Sequence, residues 1–432
     1  MTIRRQPEDF LVEERLGAAF SSALRDRADD AAPYACFELT KQAITTPAAT
    51  HAFARAIGVR NDDVQCAGLK DRHAKTIQFI TARVDAGKVE RFRDAPLEQH
   101  ATAAVDEPES DLDDHDQQSD ESGEEPSGQT GWSARLVGWT SAPITSDAID
   151  GNRFTIEIRD LAQETCSEMD RRVRLLSDDG IVYVTNYFGA QRFGSARHGK
   201  GFAARHLLKG EFEQALRLLV GTPAREDHGK TRVMTRAASS DWGNWPAILA
   251  KLPRMPERAA FEALAAGKDA REAFSALPAF TQIMCVEAFQ SHLWNEVARR
   301  FVTRSIKGTH LRSDDAFGPM FFARARDMHA LTRKLIIPLL APDAVLRQPW
   351  REDVESVLRD EGLTLESLRI PGLRRPFFAD APRSLVTRIE RFDLGAPHRD
   401  ALDPQQKRLA RTISFELPRG AYATVVLRAI GQ

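Results

Sequence analysis

The pattern of apolar and polar residues divides the chain into a strand-rich beginning, a helical middle and a strand-rich end. "NRFTIEIRDL" (Asn152–Leu161) alternates apolar and polar positions, as a strand with one buried face does. From about Gly210 to Phe378 the spacing is mostly helical, with "FEQALRLLV" and "DVESVLRDEG" as amphipathic stretches. The last residues, "RLARTISFELPRGAYATVVLRAIG", return to strand signals. The pattern predicts one mixed domain, made from both ends of the chain and interrupted by an inserted helical domain.

Two further stretches have clear local signals. "YACFELTKQ" reads as a strand, which is followed by a turn at Thr45–Pro47 and a helix that includes Ala54. "CSEMDRRVRLLSDDG" has helical spacing, and we expect its helix to stop at Gly180 because glycine is a common C-terminal cap.

A cluster of charged residues lies between two short apolar segments, or arms, in "VQCAGLKDRHAKTIQFIT". One carboxylate, Asp71, stands among four potentially cationic groups: Lys70, Arg72, His73 and Lys75. Both arms read as strands, so Asp71 is predicted to lie on a tight turn held by sheet on both sides. Loops based on rigid elements in this way often carry binding and catalytic groups.

Acidic residues are unevenly spread along the chain of 432 residues. The stretch 106–125 holds eleven Asp and Glu and no Lys or Arg; the remainder has 60 basic and 51 acidic residues, a net charge of about +9. The mildly basic remainder permits a polyanionic partner. The segment 100–131 is poor in aromatic and branched aliphatic residues, so we expect a disordered acidic surface loop.

Cysteine usage and apolar runs indicate a soluble protein of a reducing compartment. The four cysteines are far apart and none is in a CxxC pair, which argues against disulfides and cysteine zinc sites. "MTIRRQPEDFLVEER" lacks the apolar core of a signal peptide, and the longest apolar runs are too short to span a bilayer. A cytoplasmic location is expected.

Common catalytic and nucleotide-binding motifs are absent from the sequence. "HGKT" (228–231) resembles the end of a phosphate-binding loop, but Ala224 stands where that loop needs glycine. Asp71 and His73 alone are too few ligands for a metal site. No GxSxG, GxGxxG or HExxH occurs.

A second unusual stretch, "VTNYFGAQRFGSARHGKGF" (184–202), interleaves aromatic, amide and cationic side chains with glycines. Aromatic rings stack on bases, amides read base edges and cations meet phosphates, which is the set of groups that recognises unstacked RNA. The alternative is an aromatic packing loop with a solvated basic end.

These two stretches, "AGLKDRHAKTIQ" and "NYFGAQRFG", closely resemble signature segments of the TruD family of tRNA pseudouridine synthases. "PEDFLVEE", "TKQAITTPAATHAFARAIGV", "DGNRFTIEIRDL", "AFQSHLWNEVARR" and "FELPRGAYATVVLR" are similar to further family segments and follow in the family's order. The resemblance covers nearly the whole chain except the acidic loop. In one respect the chain departs from the family: there is no Lys or Arg between Val137 and Gly151, where a basic cluster is expected.

The resemblance implies an α+β fold with a pseudouridine-synthase-like catalytic domain on a mostly antiparallel sheet. That domain would comprise residues 1–214 and 379–432, and the mainly helical TRUD domain residues 215–378. It also implies that tRNA is the partner, that uridine-13 in the D-stem is the target, and that no cofactor or metal is needed. A monomer is the expected state. The alternatives are the same reaction on another RNA, a catalytically silent RNA-binding protein or chaperone, and a metal-dependent nuclease.

The resemblance also assigns site residues. Asp71 would be the catalytic nucleophile, and Arg4 stands where relatives carry a basic residue that pairs with it. Phe10, Asn186 and Phe188 would line the uracil pocket, with Phe188 stacked on the base and Asn186 bonded to its edge. Tyr422 would add a ring from the closing strand. Lys41 and Thr46 also match the family pattern, and phosphate contact is the only role that we expect for them.

Overall fold

A computed structural model of the protein describes residues 2–3, 5–72, 74–100, 130–405 and 407–432. Arg4 and His73 lie outside the described residues, and so does most of the predicted acidic loop, residues 101–129.

The strands of the described residues are β1 (Phe10–Leu16), β2 (Tyr34–Gln42), β3 (Val64–Cys66), β4 (Lys75–Arg83), β5 (Leu97–His100), β6 (Gly131–Thr140), β7 (Ile149–Leu161), β8 (Ser177–Asp178), β9 (Ile181–Thr185), β10 (His310–Ser313), β11 (Met320–Ala323), β12 (Ile336–Pro338), β13 (Pro382–Ser384), β14 (Val386–Ile389), β15 (Phe392–Leu394), β16 (His398–Arg399) and β17 (Leu409–Pro418).

One large sheet has the strand order β15–β17–β7–β1–β4–β2–β6–β5, with β16 beside β17 and β3 beside β4. β1 and β4 run parallel, and the other described pairings in this sheet are antiparallel. Both ends of the chain contribute, because only β7 separates β1 from β17. The fold is therefore α+β with a mostly antiparallel sheet, as the sequence predicted.

The helices are α1 (Ala18–Ala23), α2 (Thr46–Ile57), α3 (Ala86–Val89), α4 (Gln163–Leu176), α5 (Ala203–Leu208), α6 (Phe212–Val220), α7 (Gly229–Asp241), α8 (Trp245–Lys251), α9 (Arg258–Ala265), α10 (Ala270–Ser275), α11 (Ala279–Ser305), α12 (Ala330–Lys334), α13 (Arg351–Asp360) and α14 (Ala423–Ala429). The longest, α11, packs against α5, α13 and the 3-10 helix Ala190–Ala196. No described helix is both long enough and apolar enough to cross a membrane. The predicted division into two domains stays a prediction.

One face of the large sheet carries two apolar cores. Phe37 on β2 packs edge-on against Phe53 of α2, with ring centroids 4.9 Å apart, in the first core. Phe154 on β7 stacks with Phe415 on β17, at 5.5 Å, in the second core, which extends into the helical part of the chain. Paired residues on neighbouring strands point to the same face, so the register places both cores on one side.

A strip of buried polar side chains separates these two cores, and we call it the polar seam: Glu14, Lys41, Thr46, Thr76 and Gln78. Lys41 on β2 pairs with Thr76 on β4, and Thr76 pairs with Val12 on β1, so the seam follows the central strands. Buried polar groups cost free energy unless they are hydrogen-bonded. A seam of them in the middle of a sheet indicates a specific role.

The predicted end of α4 is wrong. The helix ends at Leu176, and Ser177–Asp178 pairs with Ile181–Val182 in a hairpin. Asp179 and Gly180 have φ angles of 49° and 76°, as a two-residue Asp-Gly hairpin turn requires. Gly180 therefore supplies the hairpin turn rather than a helix cap.

The predicted closing strand is correct only up to Pro418. Residues Ala423–Ala429 form helix α14, with Ala423, Val426 and Leu427 buried on one side. Val425 and Val426 favour a strand by propensity, but a helix after the Arg419–Gly420 turn buries them against the second core. Tyr422 is accordingly the residue immediately before this helix, and not part of a closing strand.

Candidate active site

Asp71 lies between β3 and β4, as predicted, but on the connection 67–74 rather than on a tight turn. The backbone of this loop bonds to Lys41 and Thr46 of the polar seam. The ammonium group of Lys41 donates to the carbonyl oxygens of Ile44 (2.9 Å), Lys70 (3.2 Å) and Asp71 (2.8 Å). Thr46 Oγ1 accepts a bond from the Lys70 N–H at 3.0 Å. These contacts fix the backbone on which Asp71 stands.

The side chain of Lys70 turns away from this backbone toward the sheet. Its ammonium group pairs with Glu14 Oε1 at 2.7 Å and donates to Asn152 Oδ1 at 3.0 Å. The second carboxylate oxygen of Glu14 accepts the N–H of Phe79 on β4 at 2.8 Å. The positive charge of Lys70 is therefore used within the fold, and Lys41 brings an ammonium group within 2.8 Å of the Asp71 carbonyl oxygen.

The expected phosphate contacts of Lys41 and Thr46 are wrong. Lys41 is completely buried, and its ammonium group bonds to three backbone oxygens. Thr46 is also buried and donates to Gln78 Oε1 at 3.2 Å. Both side chains support the Asp71 loop from beneath, where phosphate has no access.

Asn186 follows the last residue of β9 and is tied to the segment that contains β13. Its N–H donates to the Leu385 carbonyl at 2.8 Å, and its Nδ2 donates to the Ser384 carbonyl at 3.0 Å. Its Oδ1 accepts a bond from Arg383 Nη2 at 3.0 Å. The amide, which sequence reasoning assigned to a base edge, thus has both ends anchored.

Phe188 is held by α11. Its N–H donates to Asn295 Oδ1 at 2.8 Å, and its carbonyl accepts from Asn295 Nδ2 at 3.0 Å. Its ring meets Trp294 and Tyr422 edge-on, at centroid distances of 5.8 and 6.0 Å. The guanidinium carbon of Arg383 lies 3.7 Å from the ring centroid, and only 5% of Phe188 is exposed.

Phe10 is the first residue of β1 and lies in the same core as Phe188. It is buried, and its ring meets Phe154 edge-on at 6.2 Å. Because Leu11 pairs with Lys75, Phe10 lies level with Ala74, three residues after Asp71. The structure thus brings Asn186, Phe188 and Tyr422 into one group, and places Phe10 beside the end of the Asp71 loop.

Other members of the stretch 184–202 serve packing. Tyr187 and Phe193 are each 1% exposed, so neither ring is open to a base. Arg192 pairs with Glu287 at 2.7 Å, and Arg197 pairs with Asp227 at 2.7 Å. Of the residues whose composition predicted RNA contact, Asn186 and Phe188 therefore remain candidates for the site, and most of the others stabilise the fold.

Sequence reasoning missed Glu14, Arg383, Trp294 and Asn295. Glu14, Trp294 and Asn295 stand in segments that resemble the family, but nothing in their local pattern indicates a role. Arg383 stands in "APRSLV", which carries no signal at all. In the described residues no cluster of three or more His, Cys, Asp or Glu could hold a metal ion.

The mostly antiparallel sheet, with an aspartate loop and an aromatic group on one face, defines a pseudouridine-synthase-like catalytic fold. The family described as "tRNA pseudouridine synthase D (TruD)" matches residues 1–106 and 130–430. The chain belongs to this TruD family and is a pseudouridine synthase, which is an isomerase.

Relatives match along the whole chain. The chain is 26% identical over 436 residues to the probable tRNA pseudouridine synthase D 2 of Methanocaldococcus jannaschii, covering 99% of this chain and 91% of that one. It is 26% identical over 438 residues to the tRNA pseudouridine synthase D of Aquifex aeolicus, covering 99% and 97%. The crystal structure of the putative TruD of Methanosarcina mazei has the same fold, with a TM-score of 0.65, 22% identity, and coverage of 99% and 92%.

Proposed function

We propose that this protein converts uridine-13 in the D-stem of tRNA into pseudouridine, with Asp71 as the nucleophile. The observation that carries the proposal is the loop of Asp71, which Lys41 and Thr46 hold across a buried polar seam. An ordinary solvated surface aspartate does not require a buried ammonium group and a buried hydroxyl to hold its backbone in place.

The reaction breaks the N1–C1′ glycosidic bond, turns the detached uracil and forms a C5–C1′ bond. The proton displaced from C5 passes to solvent and N1 gains a proton, so the product is an isomer of the substrate. Asp71 acts at the sugar, where its carboxylate bonds to C1′ or stabilises positive charge as N1 leaves. Arg4, by resemblance, would pair with this carboxylate.

The target base has to leave its stack to reach Asp71, at a cost of a few kcal/mol. Stacking on an aromatic ring contributes about 1–3 kcal/mol per base, and a bidentate amide contact a similar amount. Phe188 and Asn186 together are therefore sufficient to offset extrusion. Tyr422 and Phe10 would complete the walls of the pocket, and a tRNA substrate agrees with the expected cytoplasmic location.

The test is a pseudouridine map of unmodified tRNA after incubation with the purified protein, by carbodiimide labelling and primer extension. We expect a new stop at position 13, and no stop when position 13 carries cytidine. A stop at another position would mean that the protein forms pseudouridine at a uridine other than uridine-13. No stop on tRNA would favour another RNA or the RNA-binding alternative.

A further inference from the structure

Arg383 joins the two segments that carry the site side chains: residues 186–188, with Asn186 and Phe188, and residues 420–422, with Tyr422. It lies on β13, and its Nε donates to the Asn186 carbonyl at 3.0 Å. Its Nη1 donates to the Gly420 carbonyl at 2.9 Å, two residues before Tyr422. Its Nη2 donates to Asn186 Oδ1 at 3.0 Å, to the Asn186 carbonyl at 2.8 Å and to the Tyr187 carbonyl at 3.2 Å.

The position of Arg383 is costly for a cation. Within the described residues it makes no salt bridge to a carboxylate. Its guanidinium carbon lies 3.7 Å from the ring centroid of Phe188 and 5.1 Å from that of Trp294. Burial lowers the pKa of Arg383 to about 10, so it stays protonated at neutral pH. Cations in such surroundings are rare unless geometry requires them.

The contact with Asn186 Oδ1 fixes which way the Asn186 amide points. In the observed orientation Oδ1 faces the Arg383 donor and Nδ2 faces the Ser384 carbonyl. A flipped amide would oppose a donor to a donor and an acceptor to an acceptor. Each end of the amide has capacity for a second bond, one N–H and one lone pair, and Asn186 is partly exposed.

We propose that Arg383 makes the site select uracil over cytosine by locking the amide of Asn186 in one orientation. This rests on the proposed function, because it requires a pyrimidine in the pocket. Uracil presents an N3–H donor beside an O4 acceptor, whereas cytosine presents an N3 acceptor beside an amino donor. An amide fixed in one orientation can pair its oxygen with the N3–H of uracil and its N–H with O4. In the same pose it would set an acceptor against N3 of cytosine and a donor against the cytosine amino group.

Arg383 also contacts the ring on which the base would stack. Its guanidinium carbon lies 3.7 Å from the Phe188 ring centroid, the guanidinium carbon of Arg192 lies 5.7 Å from it, and the Tyr422 ring meets it edge-on at 6.0 Å. The same residue therefore contacts both the ring and the amide that would meet the base. Arg383 is thus a positioning residue that acts through Asn186 and Phe188.

The test measures dissociation constants of two tRNAs that differ only in uridine or cytidine at the target position. Binding is measured in an Asp71→Asn background, which prevents turnover, and Arg383→Met and Arg383→Lys are added to it. We expect the parent to prefer the uridine RNA by roughly tenfold, since a bidentate base contact discriminates by about that factor or more. The ratio should fall in Arg383→Met, where the Ser384 carbonyl is the remaining contact that orients the Asn186 amide.

Arg383→Lys keeps the positive charge but loses the planar guanidinium group with its several N–H donors, so the ratio of the two dissociation constants should fall in this variant too. It keeps the test informative if Arg383→Met fails to fold. Arg333→Met is the matched control, because Arg333 lies 4.3 Å from the ring centroid of Tyr183 and donates to Asp178 and Ala325 without touching Asn186. This control should keep the parent ratio.

Equal weakening for both RNAs, with an unchanged ratio in both Arg383 variants, would show that Arg383 is only structural. A parent ratio of one would show that Asn186 does not read the base, and would overturn the inference as well. The wild-type protein, assayed in parallel for product on the uridine tRNA, separates either outcome from failure of the proposed function itself.

Discussion

The ammonium group of Lys41 bonds to the carbonyl oxygens of Lys70 and Asp71, one on each side of the Asp71 α-carbon, and this is the central contact among single residues. A buried lysine that binds carbonyl oxygens both orients the loop and places a positive charge beside Asp71. Hydrogen bonds to charged groups contribute about 1.5–3 kcal/mol each, so the loop is firmly held.

Lys41→Met should lower the free energy of unfolding by about 2–3 kcal/mol, because the carbonyls of Ile44, Lys70 and Asp71 lose their donor. It should also reduce turnover far more than tRNA affinity. Urea unfolding, single-turnover rates and RNA titration measure the three quantities. Lys251→Met, at an exposed lysine, is the control and should change stability by less than about 0.5 kcal/mol. A loss confined to RNA affinity would restore the phosphate role.

The position of Asp71 between two strands was predictable from the sequence, but the contacts that hold its loop were not. One carboxylate among four cationic residues, between two strands, was sufficient to single out Asp71. Lys41 stands 30 residues earlier on a strand, and no local pattern says that its side chain reaches back under the loop. Contacts between distant segments depend on strand register, which short sequence patterns do not specify.

At the scale of elements, helix α11 is the scaffold of the aromatic group. It presents Ser291, Trp294 and Asn295 in succession, with Ser291 Oγ accepting from Arg192 at 3.2 Å. Residues three and four positions apart lie on the same face of a helix, so one helix serves both the Ala190–Ala196 turn and Phe188. The helical period of this stretch is visible in the sequence, whereas the segment against which α11 packs, with Phe188 and Arg192, is not.

Asn295→Ala should remove both bonds to the Phe188 backbone and leave a buried N–H and a buried carbonyl unsatisfied. We expect a loss of about 2–4 kcal/mol in unfolding free energy and a lower turnover number. Asn244→Ala is the matched control: Asn244 caps α8, so its loss should cost about 1 kcal/mol without changing turnover. Normal turnover by Asn295→Ala would mean that the position of Phe188 does not depend on α11.

The two elements that were predicted wrongly, the end of α4 and the closing strand, have a common cause. Each ends at a glycine or turn whose local sequence fits two structures: Gly180 suits a helix cap or a hairpin, and "ATVVLRA" suits a strand or a buried helix. Packing against the second core decides between them, which local propensity cannot do.

At the scale of the whole molecule, Arg159 on β7 ties the two ends of the chain together. It pairs with Asp9, just before β1, at 2.7 Å, and with Asp400, in the C-terminal part, at 3.0 Å. Both carboxylates are almost fully buried. Burial alone would raise the pKa of Asp400, but bonds from the Leu402 and Asp160 N–H groups and from Arg159 outweigh it and hold that pKa below its ordinary value.

Asp400 should therefore stabilise the fold above its unfolded pKa of about 3.9 and lose this contribution as pH falls through its lower folded pKa. Asp400→Asn should cost roughly 3 kcal/mol at pH 7 and make unfolding less dependent on pH below about 4. Urea titrations from pH 2 to 7 measure this, with the exposed Asp393→Asn as control. Parallel curves for Asp400→Asn and wild type would show that the pKa of Asp400 is the same in the folded and unfolded states, which would contradict the account of this ion pair.

Single-turnover release of tritium from tRNA labelled at uracil C5, measured for wild type and for Asp71→Asn, tests whether Asp71 is the nucleophile. We expect release by wild type and none by Asp71→Asn, whose dissociation constant for tRNA should stay within about threefold because the loop backbone is held by Lys41. Asp62→Asn, an exposed residue before β3, should behave as wild type. Substantial release by Asp71→Asn would contradict the assignment of Asp71 as the nucleophile.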